Sequence, residues 1–194
     1  MSKGQKVNFN DWQLDETVGD LKIYSKDSTG SLKKFGAEFT MQANLNDALY
    51  LLKTVDDYED WIEGIHDAVS IGTPGKSAYS YHFYINKKIL LGLYEIKKDG
   101  IVNSVVTKKD NYISIESNID RNTANEKGYD RIEHYQVKWT FVPLANGKVK
   151  VYYQGLVDVQ VNFAYQIIKA SILENLEGTF NNMKKKLELL YAKH

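Results

Sequence analysis

Four histidines, His66, His82, His134 and His194, are the side chains best suited to acid–base chemistry in this 194-residue chain. Imidazole titrates near neutral pH and can carry a proton or hold a metal. Here the four stand far apart, and strand alternation puts His82 and His134 on the polar side, so they read as surface histidines. The chain has no Gly-x-Ser-x-Gly elbow, no His-Glu-x-x-His pair and no glycine-rich phosphate loop. Cysteine is absent, which excludes thiolate nucleophiles and disulfides and leaves a zinc ion only His, Asp and Glu. Glu133 or Tyr135 could serve as an acid or base, but nothing in the spacing indicates it. No catalytic residue, metal ligand or cofactor is expected. Arg131 and Glu133 share a strand-like face with Tyr135, Val137 and Trp139. They could anchor a ligand headgroup through charge-assisted hydrogen bonds, or form a solvated pair at a strand end.

The charge balance points away from nucleic acid. Lysine plus arginine and aspartate plus glutamate both number 25, so no net field attracts phosphates. Lys184, Lys185 and Lys186 read as a solvated helix face. No apolar run approaches the roughly 20 residues that span a bilayer, and Met1 to Asn8 lack the apolar core of a secretion signal. A cytoplasmic chain is the expectation, with residues 1–194 forming one domain. Tyrosine is frequent, at 14 copies. Buried phenols need partners, water or ligand around them, which favours a lined cavity; exposed sheet faces are the alternative home for them.

The elements that must position these residues are mostly strands. Trp12–Thr17 and Leu21–Ser25 flank a turn at Val18-Gly19-Asp20. Phe35, Ala37, Phe39 and Met41 then alternate with polar residues, the period of a half-buried strand. Asn44 or Asn46 can cap a helix carrying Leu45, Ala48, Leu49 and Leu52, and Asp56–Trp61 adds one more turn. Alternation resumes through 66–71 and through Tyr79, Tyr81, Phe83 and Ile85. Breaks are expected at Thr73–Lys76 and at Lys97-Lys98-Asp99-Gly100. Ile101–Thr107 and Tyr112–Ile119 read as a hairpin, residues 120–130 as a loop, and Arg131–Val142 with Lys148–Val157 as a second hairpin. From about Asn162 to Leu190 the apolar residues fall at steps of three and four: Ile168, Ile172, Leu176, Phe180, Met183 and Leu187 form one face of a long helix. Gly178 inside it implies close packing or a slight bend.

Several landmarks in order carry a family resemblance: Trp12, Ile23-Tyr24-Ser25, Asp57–Trp61, Arg131-Ile132-Glu133, Trp139–Pro143, and Val151–Asp158 just before the long helix. The chain resembles the START (StAR-related lipid transfer) family, within the birch-pollen-allergen-like helix-grip superfamily, over about residues 12–190. In the segment Gly92–Asp99 it keeps the family's aspartate, has lysine for arginine, and lacks the prolines. The resemblance implies an α+β helix-grip fold: a curved antiparallel β-sheet wrapped around a long C-terminal α-helix, with short helices after the third strand. It also implies binding, and transfer, of a lipid, sterol or other small apolar ligand without catalysis. The expected cavity is lined by Phe39, Tyr79, Tyr81, Phe83, Arg131, Glu133, Tyr135, Val137, Trp139 and Tyr153, with Ile168, Ile172 and Leu176 from the helix. Whether those rings line a space or fill a core stays open in the sequence. The resemblance puts the gate at Leu91, Leu93, Tyr94, Ile96 and Phe163, where transient membrane-surface contact is expected. Two alternatives remain: an enzyme of the same superfamily acting on a hydrophobic substrate, as cyclases and hydrolases do, or a protein-interaction module using the same groove.

Overall fold

In the computed structural model the described residues are 7–73, 75, 77–89, 94–123, 128–158 and 165–192; side chains at 87–89, 94, 157 and 165–168 lie outside the description. The strands are β1 (Gln13–Val18), β2 (Leu21–Asp27), β3 (Leu32–Gln42), β4 (Ile65–Ile71), β5 (Ala78–Ile89), β6 (Tyr94–Lys109), β7 (Tyr112–Ile119), β8 (Asp130–Arg131), β9 (Tyr135–Pro143) and β10 (Lys148–Asp158). They form one sheet in the order β1-β2-β3-β10-β9-β7-β6-β5-β4, antiparallel throughout, with β8 attached parallel to β6. The helices are α1 (Leu45–Lys53), followed by a 3-10 turn at Val55–Asp60, and α2 (Tyr165–Tyr191). This is the helix-grip arrangement, with its short helices after the third strand.

Local chemistry explains the boundaries. Asn44 caps α1, its side-chain oxygen accepting from the amides of Asn46 and Asp47. The β9–β10 hairpin turns through Asn146 and Gly147, both at positive φ, a conformation that favours these two residue types. At β4 the strand would leave an unpaired sheet edge, but Asp56 accepts from the Ser70 amide, so the 3-10 turn partly covers it.

Two sequence expectations are corrected. Lys97–Gly100 is no break: β6 runs unbroken through it, and β5 pairs along its length. Gly100 is there for packing, since a Cβ would lie 2.8 Å from both Ile119 Cδ1 and Phe83 Cε1. The run Arg131–Val142 is no single strand either. Its first residues peel away, because the Ile132 amide donates to the Asp99 carbonyl and β8 pairs with β6. Only from Tyr135 does the chain join β7 and β10.

One face of the sheet packs on α1, the 3-10 turn and α2, and that layer is the core. Phe39, Met41, Ile113, Ile115, Phe141, Val149 and Val151 are all at most 3% exposed. Gly178 sits against the residues after the 3-10 turn: a Cβ there would lie 2.6 Å from Glu63 Cγ, so close packing explains it.

Candidate functional site

The side chains of α2 change character along its length. Phe180, Met183 and Leu187 are fully buried. The Phe180 ring lies 5.3 Å from Phe39, 5.3 Å from Tyr153 and 5.9 Å from Trp139, centroid to centroid. Trp139 in turn stacks on Phe141 at 6.1 Å and meets Tyr153 at 4.8 Å. Interlocked rings of this kind leave no room for a ligand; under the C-terminal half of α2 the aromatic face is a filled core.

Towards the start of α2 the packing loosens. Ile172, Leu173 and Leu176 are only half-buried. The strand ends opposite behave the same way. On the inward face Tyr79, Tyr81 and Phe83 of β5 are buried but Ile85 is not; Ile113 and Ile115 of β7 are buried but Ile119 is not; Val137, Trp139 and Phe141 of β9 are buried but Tyr135 is not. Antiparallel pairing brings these ends together: Ile119 stands opposite Val102, Tyr135 opposite Val157, and Ile85 opposite Lys98. An apolar, half-exposed rim therefore forms at one end of the sheet. A separate shallow pocket of about 280 Å³ opens beside it, lined by Asn118, Ile119, Arg121, His134, Tyr135, Gln136 and Leu156. Only Tyr135 of the predicted site touches that pocket.

Polar groups on the buried part of the inward face are neutral hydroxyls, while Lys98, half-buried and opposite Ile85, stands at its open end. Tyr58 donates to the Leu52 carbonyl and interacts with Tyr79, which also meets Ser104; Ser104 and Ser117 are 2.8 Å apart. Tyr81 and Tyr135 interact through their hydroxyls. Tyr153 lays its hydroxyl over Gly155, where any side chain would strike it. Burial pushes the Tyr135 phenol up to about 12 and that of Tyr153 higher, and it holds Tyr58 and Tyr81 well above the ordinary value. All remain protonated donors at neutral pH. The Trp61 indole N–H is buried, and among the described residues it has no partner.

Other charged groups lie away from that face. Asp99, fully buried on the outer face, accepts from His82 Nε2 at 2.8 Å and from Arg131 Nη2 at 3.0 Å, while His82 Nδ1 is 3.0 Å from the Tyr84 hydroxyl. Glu133 is exposed. Arg131 and Glu133 are thus corrected: neither shares the face of Tyr135 and Trp139, and Arg131 fastens β8 to β6. His82 points away from the inward face, as strand parity implies, but it is part of this cluster. His134 stands 3.0 Å from Arg121. Lys184 pairs with Asp20 and Lys186 with Asp60, so these lysines tether α2 to its surroundings. Lys169 pairs with the buried Asp15 of β1. Among the described residues no three His, Asp or Glu side chains gather as metal ligands.

The structure thus brings Phe39, Tyr79, Tyr81, Phe83, Tyr135, Val137, Trp139 and Tyr153 to one face, with Ile172 and Leu176 half-buried on α2. The side chain of Ile168, and Leu91, Leu93, Phe163 and the Tyr94 side chain among the expected gate residues, lie outside the described residues; Ile96 is half-buried in β6. Sequence reading missed Ser104, Ser117, Ile119 and Leu173. The two serines carried a signal, small polar residues on the apolar parity of their strands.

No family model matches the chain, and no curated protein matches it. Solved structures do. The STAR-related lipid transfer protein from Xanthomonas axonopodis is 19% identical, over 91% of this chain and 98% of that one, with a TM-score of 0.79. Human StAR-related lipid transfer protein 5 is 12% identical, over 95% and 89%, at 0.76. Human STARD10 is 12% identical, over 94% and 76%, at 0.73. At these identities the likeness shows the fold: a START-like helix grip.

Proposed function

We propose that the chain binds a lipid-sized apolar ligand between the first half of α2 and the open end of the sheet, and that it does so without catalysis. The observation that carries this is the burial gradient. One side of the molecule closes on interlocked rings, while Ile85, Ile119, Tyr135, Ile172 and Leu176 leave apolar surface half-exposed at the other. Soluble folds cover such surface with a ligand or a partner. The solved structures named as lipid transfer proteins share the fold, which supports a ligand over a partner. Transfer belongs to the same proposal, as release of that ligand to another carrier or surface.

Native mass spectrometry of protein purified from cells tests it. The expected result is an adduct of lipid mass that denaturation releases, and uptake of an added long-chain ligand by protein stripped with organic solvent. Stripped protein that takes up no long-chain alcohol, acid or alkane would refute the reading.

A further inference from the structure

A fork at the open end of the sheet narrows the ligand class, on the premise that the chain is the carrier of the preceding reading. β7 and β9 stay paired as far as Asn118 and Gln136 and then part. The pocket of about 280 Å³ is lined from both sides of that parting, by Ile119 and Arg121 on one and by His134 and Tyr135 on the other. Ile119 and Tyr135 also belong to the apolar rim, so rim and pocket meet at these two residues. Sites that enclose a whole ligand run to about 300–1,000 Å³. This one has room for a headgroup, with the chain lying along the rim.

The polar lining is a set of donors around one cation. Arg121 Nη2 lies 3.0 Å from His134 Nδ1. A guanidinium only donates, so Nδ1 accepts, and the neutral imidazole carries its proton on Nε2. That bond uses one guanidinium N–H of five and orients the rest. Asn118 and Gln136 add two primary amides as a cross-strand pair. Among the described residues no carboxylate lines the pocket. Of the nearby acids, Asp120 accepts from the Asn122 amide and the Thr123 hydroxyl, Glu116 pairs with Lys138, and Asp130 and Glu133 are exposed. A phosphate or carboxylate here would gain charge-assisted hydrogen bonds, an uncharged headgroup would not, and a cationic one would meet a like charge.

The inner rim carries a second cation. Lys98 is half-buried opposite Ile85, and among the described residues it forms no ion pair. It shares its side of β6 with Gly100, and Ile119 Cδ1 packs against that glycine's position. Both cations favour negative charge at this end of the sheet. Arg121 stands in a pocket with other donors and has the planar fork that matches an oxyanion, whereas Lys98 is a single ammonium among apolar side chains. We propose that the ligand is an anionic amphiphile. Its oxyanion, a phosphate or a carboxylate, is held in the fork by Arg121 with Asn118 and Gln136, and its chain lies along Ile119 and Tyr135.

Calorimetric titration of the stripped full chain at pH 8 tests this with tetradecyl phosphate, tetradecanoate, 1-tetradecanol and inorganic phosphate. At least one of the two amphiphilic anions is expected to bind about tenfold or more tightly than the alcohol, the worth of a hydrogen bond to a charged group. Which of the two binds more tightly assigns phosphate or carboxylate. Arg121→Gln is expected to remove most of that preference and to leave alcohol binding within about twofold, while Lys98→Gln leaves the preference within about twofold. Arg121 is exposed, so an unchanged melting temperature is expected in its variant. Equal binding of anions and alcohol, a preference that survives Arg121→Gln, or one lost only in Lys98→Gln overturns the headgroup assignment alone. Inorganic phosphate binding as tightly as tetradecyl phosphate also overturns it, as the fork would then hold a free anion without a chain. Failure of all three chain probes to bind overturns the carrier reading and this one with it.

Discussion

Phe180→Ala and Leu176→Ala, one turn apart on α2, should differ sharply in cost. Phe180 is fully buried and touches three rings at 5.3–5.9 Å. Removing a buried phenylalanine side chain costs about 3–5 kcal/mol, and loss of the ring contacts puts this one towards the upper end. Leu176 packs against the same core but is only half-buried. Full burial of a leucine contributes about 1.5–3 kcal/mol, so about half of that, near 1 kcal/mol, is at stake. In a chain of this size 1 kcal/mol moves the melting temperature by about 2–4 °C, which puts the variants roughly 10 °C apart. Urea unfolding at constant m-value is the assay. The same variants should reverse order in ligand retention, with Leu176→Ala losing more relative to its stability cost. Equal destabilisation by both would refute the burial gradient, and with it the assignment of ligand space to the first half of α2.

Other expectations follow from the same packing. Asp99→Asn should destabilise by about 3 kcal/mol or more, since Arg131 keeps its charge in a half-buried place; Asp99→Asn with Arg131→Met should recover part of the loss in denaturant unfolding. Gly178→Ala should be near neutral alone, because the Cβ meets Glu63 Cγ at 2.6 Å, but should stabilise by about 1 kcal/mol when made in a Glu63→Ala background. A calorimetric double-mutant comparison checks it. Tyr135 is held up to about 12 by burial, whereas an unfolded phenol titrates near 10. The folded state thus holds the proton more tightly, and the resulting stability is complete below about pH 10 and lost as pH rises towards 12. The melting temperature should fall across that window, and fall less in Tyr135→Phe than in the unaltered chain. An identical fall in both would contradict it.

How far the sequence carries depends on the physics behind each signal. The alternation in β3, β5 and β9 and the three–four spacing of α2 are periodic over many residues, and each put its side chains on the face the structure shows. Arg131 and Glu133 failed because parity assumes an unbroken strand. The Ile132 amide bonds to β6 instead, a partner 33 residues away along the chain that no local pattern encodes. Lys97–Gly100 looked like a turn because glycine after charged residues usually marks one; here glycine yields room to Phe83 and Ile119, a tertiary reason. The distinction between filled core and lined space was equally illegible, since Tyr79 and Tyr135 are the same residue type on the same parity and differ only in what packs above them.

The hairpin between β9 and β10 has a mechanical consequence for α2. Gly147 lies directly beneath the Tyr191 hydroxyl, and the neighbouring Asn146 carbonyl is held by Gln42. With Leu187, Met183 and Phe180 sealed into the core, the last turns of the helix are clamped. A rod gripped at one end is a lever. From Phe180 back to Tyr165 it extends roughly 22 Å beyond the clamp. A tilt of about 10° about Phe180 carries the Tyr165 end through about 4 Å, close to the contact distance between two carbon atoms. Such a tilt draws on the Lys169–Asp15 pair, which makes that pair the latch on the lever.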